Sequence, residues 1–289
     1  MPRALLITFL LAGLPASAQL VIPGFDAARI GASLTNDLDL GTGNGDLSIS
    51  RFEARSVLSH GFSPVEGLFI LPLFEYTLTS LDFDGAPAPF RDEDLHSIAL
   101  SSYILMMREN SPWFGGVWAR AELASDFRHI DGDDFTFDLA AFAGYRFNEN
   151  FTFGLGGAVI NLNGDERFYP GGVLDWIVND HLRVGIYGPI LMAAWSLDED
   201  WLFTLRGDPA GGLWNVTAPS GESRSIDLDS YRLGVYASRR LGGNWWLTAG
   251  CGMAIANDLH YTTPGGRKIS SLDPDNGFFG MLALRLKAW

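Results

Sequence analysis

The feature that most constrains the fold is a strict two-residue alternation of apolar and other side chains. It is clearest in "FTFDLAAFAGYRFNENFTFGLGGAVI", residues 135–160, where only the polar residues 148–150 interrupt it. The apolar row is Phe135, Phe137, Leu139, Ala141, Ala143, Tyr145 and Phe147, then Phe151, Phe153, Leu155, Gly157 and Val159. Because successive side chains of a strand point to opposite faces, the pattern predicts two strands joined by a tight turn.

The same alternation recurs along most of the chain, and no long 3.6-residue pattern competes with it. With 34 glycines as turn and packing residues, it predicts an all-β protein. The predicted strands lie near 46–60, 67–81, 95–108, 113–126, 135–147, 151–161, 172–178, 182–188, 191–197, 201–217, 226–241, 245–260 and 276–289. A strand over Phe25–Leu34 would make fourteen, and one bent strand over 182–197 would make twelve.

The connections between these strands alternate in length. The short ones are Asn148–Asn150, Asn179–His181, Asp198–Asp200 and Gly242–Asn244, and the long ones are Asp82–Asp94, Asp131–Asp134 with its flanks, Asn161–Gly171, Asp208–Ser225 and Tyr261–Asn276. Tight turns at one end and long acidic loops at the other are typical of an outer-membrane β-barrel. A β-sandwich has mixed lengths at both ends. The Gly188-Pro189 link is an exception, since it is short where a long loop is expected.

The N-terminal residues 1–18 have the layout of a secretory signal peptide. Arg3 precedes an apolar run, Ala4–Leu14, and Ala16-Ser17-Ala18 forms a small-residue cleavage site. We expect cleavage after Ala18, followed by an N-terminal segment, 19–45, that adds a strand or a plug to a barrel formed by 46–289. The longest later apolar stretch, 186–195, is about half of the roughly 20 residues that a membrane helix needs. A membrane-spanning chain of this kind must therefore cross with strands.

Charge and cysteine content argue against two further classes of protein, namely nucleic-acid-binding proteins and disulfide-stabilised proteins. The net charge of −14 argues against a nucleic-acid partner, because phosphates would be repelled. The lone Cys251 excludes an intramolecular disulfide framework. A large core or a membrane must therefore supply the stability of this exported chain.

The second face of the strands combines small residues with sparse charges of both signs. On a lipid face each Arg or Lys would cost about 2–4 kcal/mol at the bilayer midplane, so this face is expected to line a lumen. These charges would either form a salt-bridged network that fills and rigidifies the barrel or line a water-filled constriction that selects small solutes. The predicted lumen charges are Arg120, Glu122, Asp138, Arg146, Asp175, Arg183, Arg206, Arg232 and Arg285.

Aromatic residues cluster within a few residues of the short turns. Amphipathic rings prefer the headgroup level of a bilayer, so the cluster resembles one aromatic girdle of a barrel. The alternative is that these rings cap the core of a sandwich. The predicted girdle is Trp113, Phe114, Phe147, Phe151, Trp201, Trp245 and Trp246.

The repeated unit of strand, short Asn/Asp/Gly turn and aromatic-led strand carries a family resemblance. It occurs in "YRFNENFTFGLGG", "AAWSLDEDWLFTLRGDPAGGLWNV" and "YASRRLGGNWWLTAGCGMA", before a closing "GFFGMLALRLKAW". The chain resembles the uncharacterised bacterial outer-membrane β-barrel families known only as domains of unknown function. The resemblance implies contact with outer-membrane lipid and lipopolysaccharide, and insertion by the barrel-assembly machinery. It also implies that Trp289 is the terminal aromatic signal, although the row Leu282, Leu284, Leu286 is one residue out of phase with it.

No catalytic, metal or cofactor motif is found. His60, His96, His129, His181 and His260 lie at predicted strand ends or in loops. His96 and Ser97 are adjacent, so they would point to opposite faces and could not act as a pair. The acidic runs 131–134 and 82–84 could bind Ca²⁺ but lack the spacing of an EF-hand loop.

The sequence therefore predicts an integral outer-membrane β-barrel of 12–14 strands that is not an enzyme. It would be a structural barrel or a narrow passive channel for small solutes. Two alternatives are a secreted all-β carbohydrate-binding or adhesion module, which its many Trp residues would suit, and an outer-membrane lipid-modifying enzyme. Whether the lumen is open or plugged, and the oligomeric state, stay open.

Overall fold

A computed structural model describes residues 26–41, 45–58, 63–108, 111–162 and 165–287. The predicted signal peptide and Trp289 lie outside these segments. The strands are β1 (Asp26–Asp39), β2 (Asp46–Val57), β3 (Leu68–Asp84), β4 (Glu93–Met107), β5 (Trp113–Ser125), β6 (Phe135–Asn148), β7 (Phe151–Leu162), β8 (Asp165–Ile177), β9 (Leu182–Tyr187), β10 (Ile190–Ser196), β11 (Trp201–Pro209), β12 (Gly212–Thr217), β13 (Ser223–Gly242), β14 (Trp245–Thr262), β15 (Lys268–Leu272) and β16 (Gly277–Lys287). A short 3-10 helix, Gly132–Asp134, lies between β5 and β6.

Fourteen of the strands in the described segments form one closed antiparallel barrel. Strands β1 to β11 pair in sequence order, β11 pairs with β13, β13 with β14, β14 with β16, and β16 with β1. Closure leaves no unpaired sheet edge in the wall, which a bilayer requires. The predicted closed all-β barrel is confirmed, and a stacked-sheet sandwich is not what forms.

The strand count of fourteen follows from two features. β1 is a full strand of the wall and pairs with both β2 and β16. β9 and β10 are separate strands that pair antiparallel, for example Leu191 with Ile186, so a single bent strand over 182–197 is wrong. Within the described segments, no helix has the length and apolar character needed to cross a bilayer.

Four of the predicted long loops are partly strand, since β3 ends at Asp84 and β4 begins at Glu93 within residues 82–94. β8 begins at Asp165, residues 208–225 include β12 and the start of β13, and residues 261–276 include β15. β13 and β14 have 20 and 18 residues, whereas a membrane-spanning strand needs about 9–11. These strands therefore continue past the bilayer, and their outer parts pair with each other and with β12 and β15.

The two rows of β6 differ in exposure as a lipid-facing barrel requires. Phe137 is 59% exposed while its neighbour Asp138 is 6% exposed. Other members of the apolar row behave like Phe137, and Leu205, Val235 and Leu282 are all exposed. An apolar belt of this extent is not found on soluble proteins, so it faces hydrocarbon.

Glycines on the inward row leave room for aromatic rings from neighbouring strands. A Cβ on Gly250 would lie 2.2 Å from Cδ1 of Tyr236, and one on Gly144 would lie 2.3 Å from Cζ of Phe114. This close packing explains why the inward row is rich in small residues.

The apolar core lies at one end of the barrel, opposite the short turns. It combines the upper ends of β1 to β5 with side chains of β12 to β15. The buried members are Leu38, Leu40, Leu47, Ile49, Leu81, Phe90, Leu95, Ala124, Trp214, Val216, Ile226, Leu228, Leu259, Tyr261 and Leu272. The core thus occupies the mouth of the barrel, and the charged residues lie below it.

Candidate functional site: a covered mouth above a charged lumen

Strands β11 to β14 change direction at one level near the mouth. β12 continues the line of β11 along β13 after Ala210 and Gly211. On β14 an extra residue interrupts the ladder, because Asp229 pairs with Asp258 but Tyr231 pairs with Ile255. Bulges of this kind bend a strand and re-aim its side chains. The parts beyond the bend, namely β12, residues 223–229, residues 257–262 and β15, are called the lid below.

Two residues define the geometry of this bend. Ala256 has a φ of +52°, the left-handed region that non-glycine residues rarely occupy. A Cβ on Gly211 would lie 1.8 Å from the carbonyl oxygen of Leu228, so only glycine fits there.

The lid reaches across the mouth to the far wall. The buried Trp214 donates a hydrogen bond from Nε1 to Oγ of Ser97 on β4, at 3.0 Å. Asn215 of the lid pairs in parallel with Ser125 at the end of β5. In the fourteen-strand wall β5 is seven strands from β13 in either direction, so these contacts join opposite sides of the barrel.

A polar latch holds the tip of β12 to the loops of the far wall. Oδ2 of Asp126 accepts from the backbone N–H of Thr217 at 2.8 Å, and Nη2 of Arg91 donates to the Thr217 carbonyl at 2.9 Å. Glu93 is buried and pairs with Arg91 at 2.5 Å and with Arg128 at 3.2 Å. Both backbone polar groups of Thr217 are thus hydrogen-bonded to the far wall.

The underside of the lid is apolar. Trp214, Ile226 and Leu259 are each at most 3% exposed, and they belong to the same buried cluster as Leu47 of β2 and Leu81 of β3. Complete burial of a large apolar side chain contributes about 1.5–3 kcal/mol. The lid is therefore a packed, water-excluding cover over the mouth.

Below the lid, several predicted lumen charges form ion pairs. Arg120 contacts Glu122 at 2.7 Å and Asp138 at 3.6 Å. Arg183 donates from Nε to Oδ1 of Asp175 at 2.6 Å and also from Nη2 to Oδ2. These two groups bring together five of the predicted residues.

Other predicted lumen residues have partners that sequence reasoning missed. Arg206 pairs with Asp208 at 2.9 Å, and Arg285 pairs with Asp26 at 2.8 Å. Arg146 lies exposed at the short-turn end of β6. The chain also carries an unpredicted pair, Arg29 and Glu53, at 2.5 Å.

Sequence reasoning missed three lumen charges, Arg51, Glu53 and Arg55, although their spacing could have identified them. These three charges occupy alternate positions of β2, which places them on one face.

Arg232, which was predicted to line the lumen, is hydrogen-bonded to hydroxyl groups of β1. It donates from Nη1 to Oγ of Ser33 at 3.0 Å and from Nη2 to Oγ1 of Thr35 at 3.2 Å.

The predicted aromatic girdle is divided between two faces. Trp113, Phe147 and Trp245 are exposed on the outward row, whereas Phe151 and Trp201 are partly buried on it. Phe114 and Trp246 lie on the inward row: Phe114 contacts Phe142 with 6.1 Å between ring centroids, and Trp246 lies under Nζ of Lys287 at 3.5 Å. Placing Phe114 and Trp246 at the headgroups is wrong, because adjacent residues of a strand point to opposite faces.

The two β4 residues considered for catalysis, His96 and Ser97, have structural contacts. The His96 ring stacks on Phe127 with centroids 4.8 Å apart, and its Nδ1 lies 2.9 Å from the Tyr76 hydroxyl. Ser97 points the other way, toward Trp214, so the two residues do not form a catalytic pair.

The acidic run 131–134 forms the 3-10 helix and its cap. Oδ1 of Asp131 accepts from the N–H of Asp133 at 2.9 Å, and Oδ2 of Asp134 accepts from the N–H of Asp131 at 2.8 Å. Burial raises the pKa of Asp134 against the opposing effect of that N–H. Among the described residues no group of three or more His, Cys, Asp or Glu side chains could hold a metal ion.

A closed antiparallel barrel with an apolar outer belt, charged inward row and even strand number is the architecture of an outer-membrane-type β-barrel. The chain belongs to the family described as Domain of unknown function (DUF6268), which matches residues 16–280. No curated protein matches it in sequence.

Two solved structures of bacterial proteins are partly similar to this chain. The COG4313 outer membrane channel from Pseudomonas putida F1 is 14% identical, with a TM-score of 0.49 over 91% of this chain and 98% of that one. A Pseudomonas aeruginosa FadL homologue is 9% identical, with a TM-score of 0.45 over 91% of this chain and 90% of that one.

Proposed function

We propose that the protein is an integral barrel of the bacterial outer membrane that acts as a narrow passive channel for small solutes, with the lid as its gate. The observation that carries this proposal is the contact of Trp214 with Ser97 across the mouth. A lid held by one buried ring, a few hydrogen bonds and apolar packing can open without unfolding the wall, because it lies beyond the membrane-spanning parts of β11, β13 and β14.

The lumen ion pairs support a passage below the lid. Each pair joins residues of the same strand or of adjacent strands, as in Arg206 with Asp208 and Arg285 with Asp26. Such pairs lie along the wall, so they stiffen it without crossing the lumen. A network that filled the barrel would need pairs between opposite strands.

The location and partners complete the proposal. The signal peptide would direct export and be cleaved after Ala18, and insertion would use the barrel-assembly machinery with Trp289 as the terminal signal. The belt that contains Phe137 and Val235 would contact outer-membrane lipid. Lipopolysaccharide would contact the barrel at the lid end, since the short turns face the periplasm in barrels of this type.

Planar-bilayer recordings test the channel. We expect the native protein to give rare, small conductance steps, and Trp214→Ala to open more often because the lid loses its buried ring. Trp245→Ala is the matched control, since Trp245 is exposed at the opposite end of the barrel. If folded, heat-modifiable protein gives no steps for the native chain or for either variant, the protein is a structural barrel.

A further inference from the structure

We propose that the lumen beneath the lid contains a binding site for a small oxyanion, such as phosphate, sulfate or a carboxylate, built from Arg51 and Arg232. The inference rests on the proposed passage, since it names the charge class of the solute that the lumen would favour. The site itself is defined by contacts independent of conduction.

Arg51 and Arg232 converge on one place of the inner wall. Ser33 of β1 lies directly opposite Arg51 of β2 in the ladder, and it accepts a hydrogen bond from Arg232 of β13 at 3.0 Å. Arg232 therefore reaches the ladder position directly opposite Arg51, while Arg51 itself donates from Nε to Thr79 of β3. Arg232 also acts electrostatically on Arg51, which agrees with this proximity.

The hydrogen-bond partners of both guanidinium groups are neutral. Arg51 donates from Nε to Oγ1 of Thr79 at 3.2 Å, and Arg232 donates to the hydroxyls of Ser33 and Thr35. The Arg232 guanidinium also lies over the Phe279 ring, 5.0 Å from its centroid. Hydroxyl groups and a ring orient a cation without neutralising its charge.

Within the described part of the chain, no carboxylate oxygen lies within 4.0 Å of either guanidinium. The acids that act on Arg51 are Glu53 and Asp208, and each has another partner, Arg29 at 2.5 Å and Arg206 at 2.9 Å. Four guanidinium groups thus share two carboxylates. The group carries two excess positive charges.

Two excess charges on the inner wall favour an anion as the missing partner. A lumen walled by protein and lipid concentrates the field of such charges more than an open surface does. A guanidinium has five N–H donors in a planar fork that matches an oxyanion. Arg232 uses two donors and Arg51 uses one for the bonds above, and both side chains are partly exposed, so donors remain for a ligand.

Thermal unfolding of the full-length protein in detergent, with inorganic phosphate as the probe, tests the site. We expect phosphate to raise the Tm of the native protein above that in sodium chloride of equal ionic strength. Hydrogen bonds to charged groups imply a loss of affinity of about tenfold to a hundredfold for R51Q or R232Q. The matched control is R183Q, because Arg183 is also a lumen cation but lies beside the carboxylate of Asp175.

The outcomes separate this site from the channel. The proposed oxyanion site is wrong if phosphate does not raise the Tm of the native protein, or if R183Q loses the phosphate-dependent rise in Tm as fully as R51Q and R232Q do. This holds even if the barrel conducts. A shift lost only in R51Q and R232Q supports the site even if no conductance is seen, in which case the channel proposal fails alone. If Trp214→Ala conducts, its ion selectivity gives a further test. The reversal potential in a salt gradient should show less preference for anions when R232Q is added to Trp214→Ala than for Trp214→Ala alone.

Discussion

Trp214 and Ser97, 117 positions apart in the chain, meet across the barrel mouth through an indole N–H that donates to the serine oxygen at 3.0 Å. Trp214 follows the bend that begins the lid, whereas Ser97 lies on the inward row of β4. The hydrogen bond therefore exists only when the barrel has closed and the lid has folded over it. It reports on lid closure separately from wall assembly.

Loss of the Trp214 ring should loosen the lid and leave the wall intact. We expect Trp214→Ala to cost about 3–5 kcal/mol of local stability, since a large buried ring is lost. Hydrogen exchange should accelerate in β12 and at residues 223–229, with little change in β6. Ser97→Ala, which removes the acceptor but keeps the packing, should give a smaller effect in the same direction. Equal acceleration in β6 would show that the lid and wall unfold together.

Gly211 should tolerate no side chain. A Cβ there would lie 1.8 Å from the Leu228 carbonyl, so Gly211→Ala must displace the β12 backbone from β13. We expect lower protection of the β12 amides and a higher open probability in bilayers. Gly280→Ala is the control, because a Cβ at Gly280 has no atom within 4 Å. Native-like protection of β12 in Gly211→Ala would show that the bend is not constrained at this residue.

An arginine on the outer belt should destabilise the barrel in lipid. Leu205 is 51% exposed on the outward row, and an Arg near the midplane costs about 2–4 kcal/mol. Reversible urea unfolding from lipid vesicles should show this loss for Leu205→Arg and little change for Leu205→Met. If Leu205→Arg left the free energy of unfolding unchanged, this row would not contact hydrocarbon.

Acidification should stabilise the loop beside the lid through Asp134. Burial raises the pKa of this carboxyl in the folded protein, so the folded state binds the proton more readily than the unfolded state. The resulting stabilisation is full below the ordinary carboxyl pKa and is lost as pH rises through the raised pKa. Hydrogen exchange of residues 126–134 across this range measures it. Asp134→Asn should abolish the pH dependence, and its persistence would assign the effect to another group.

Local contacts of the wall could be predicted from sequence because they follow strand periodicity. The opposite exposure of Phe137 and Asp138 is a two-residue alternation. The Arg120 and Glu122 pair also needs no tertiary information, since residues two apart share a face. The partner of Arg285, in contrast, is Asp26 at the other end of the chain, and it becomes a neighbour only when β16 pairs with β1.

The sequence by itself determined that this chain is a β-barrel with an apolar outside and a charged inside, because alternation and the energetic cost of charge in lipid both act residue by residue. The tertiary structure alone decided that the mouth is covered. Met253 and Leu259 of β14 have the same parity, yet Met253 is exposed on the belt and Leu259 is buried under the lid. One extra residue near Ala256 reverses the faces of the strand beyond it, and periodicity cannot show where such a bulge will fall.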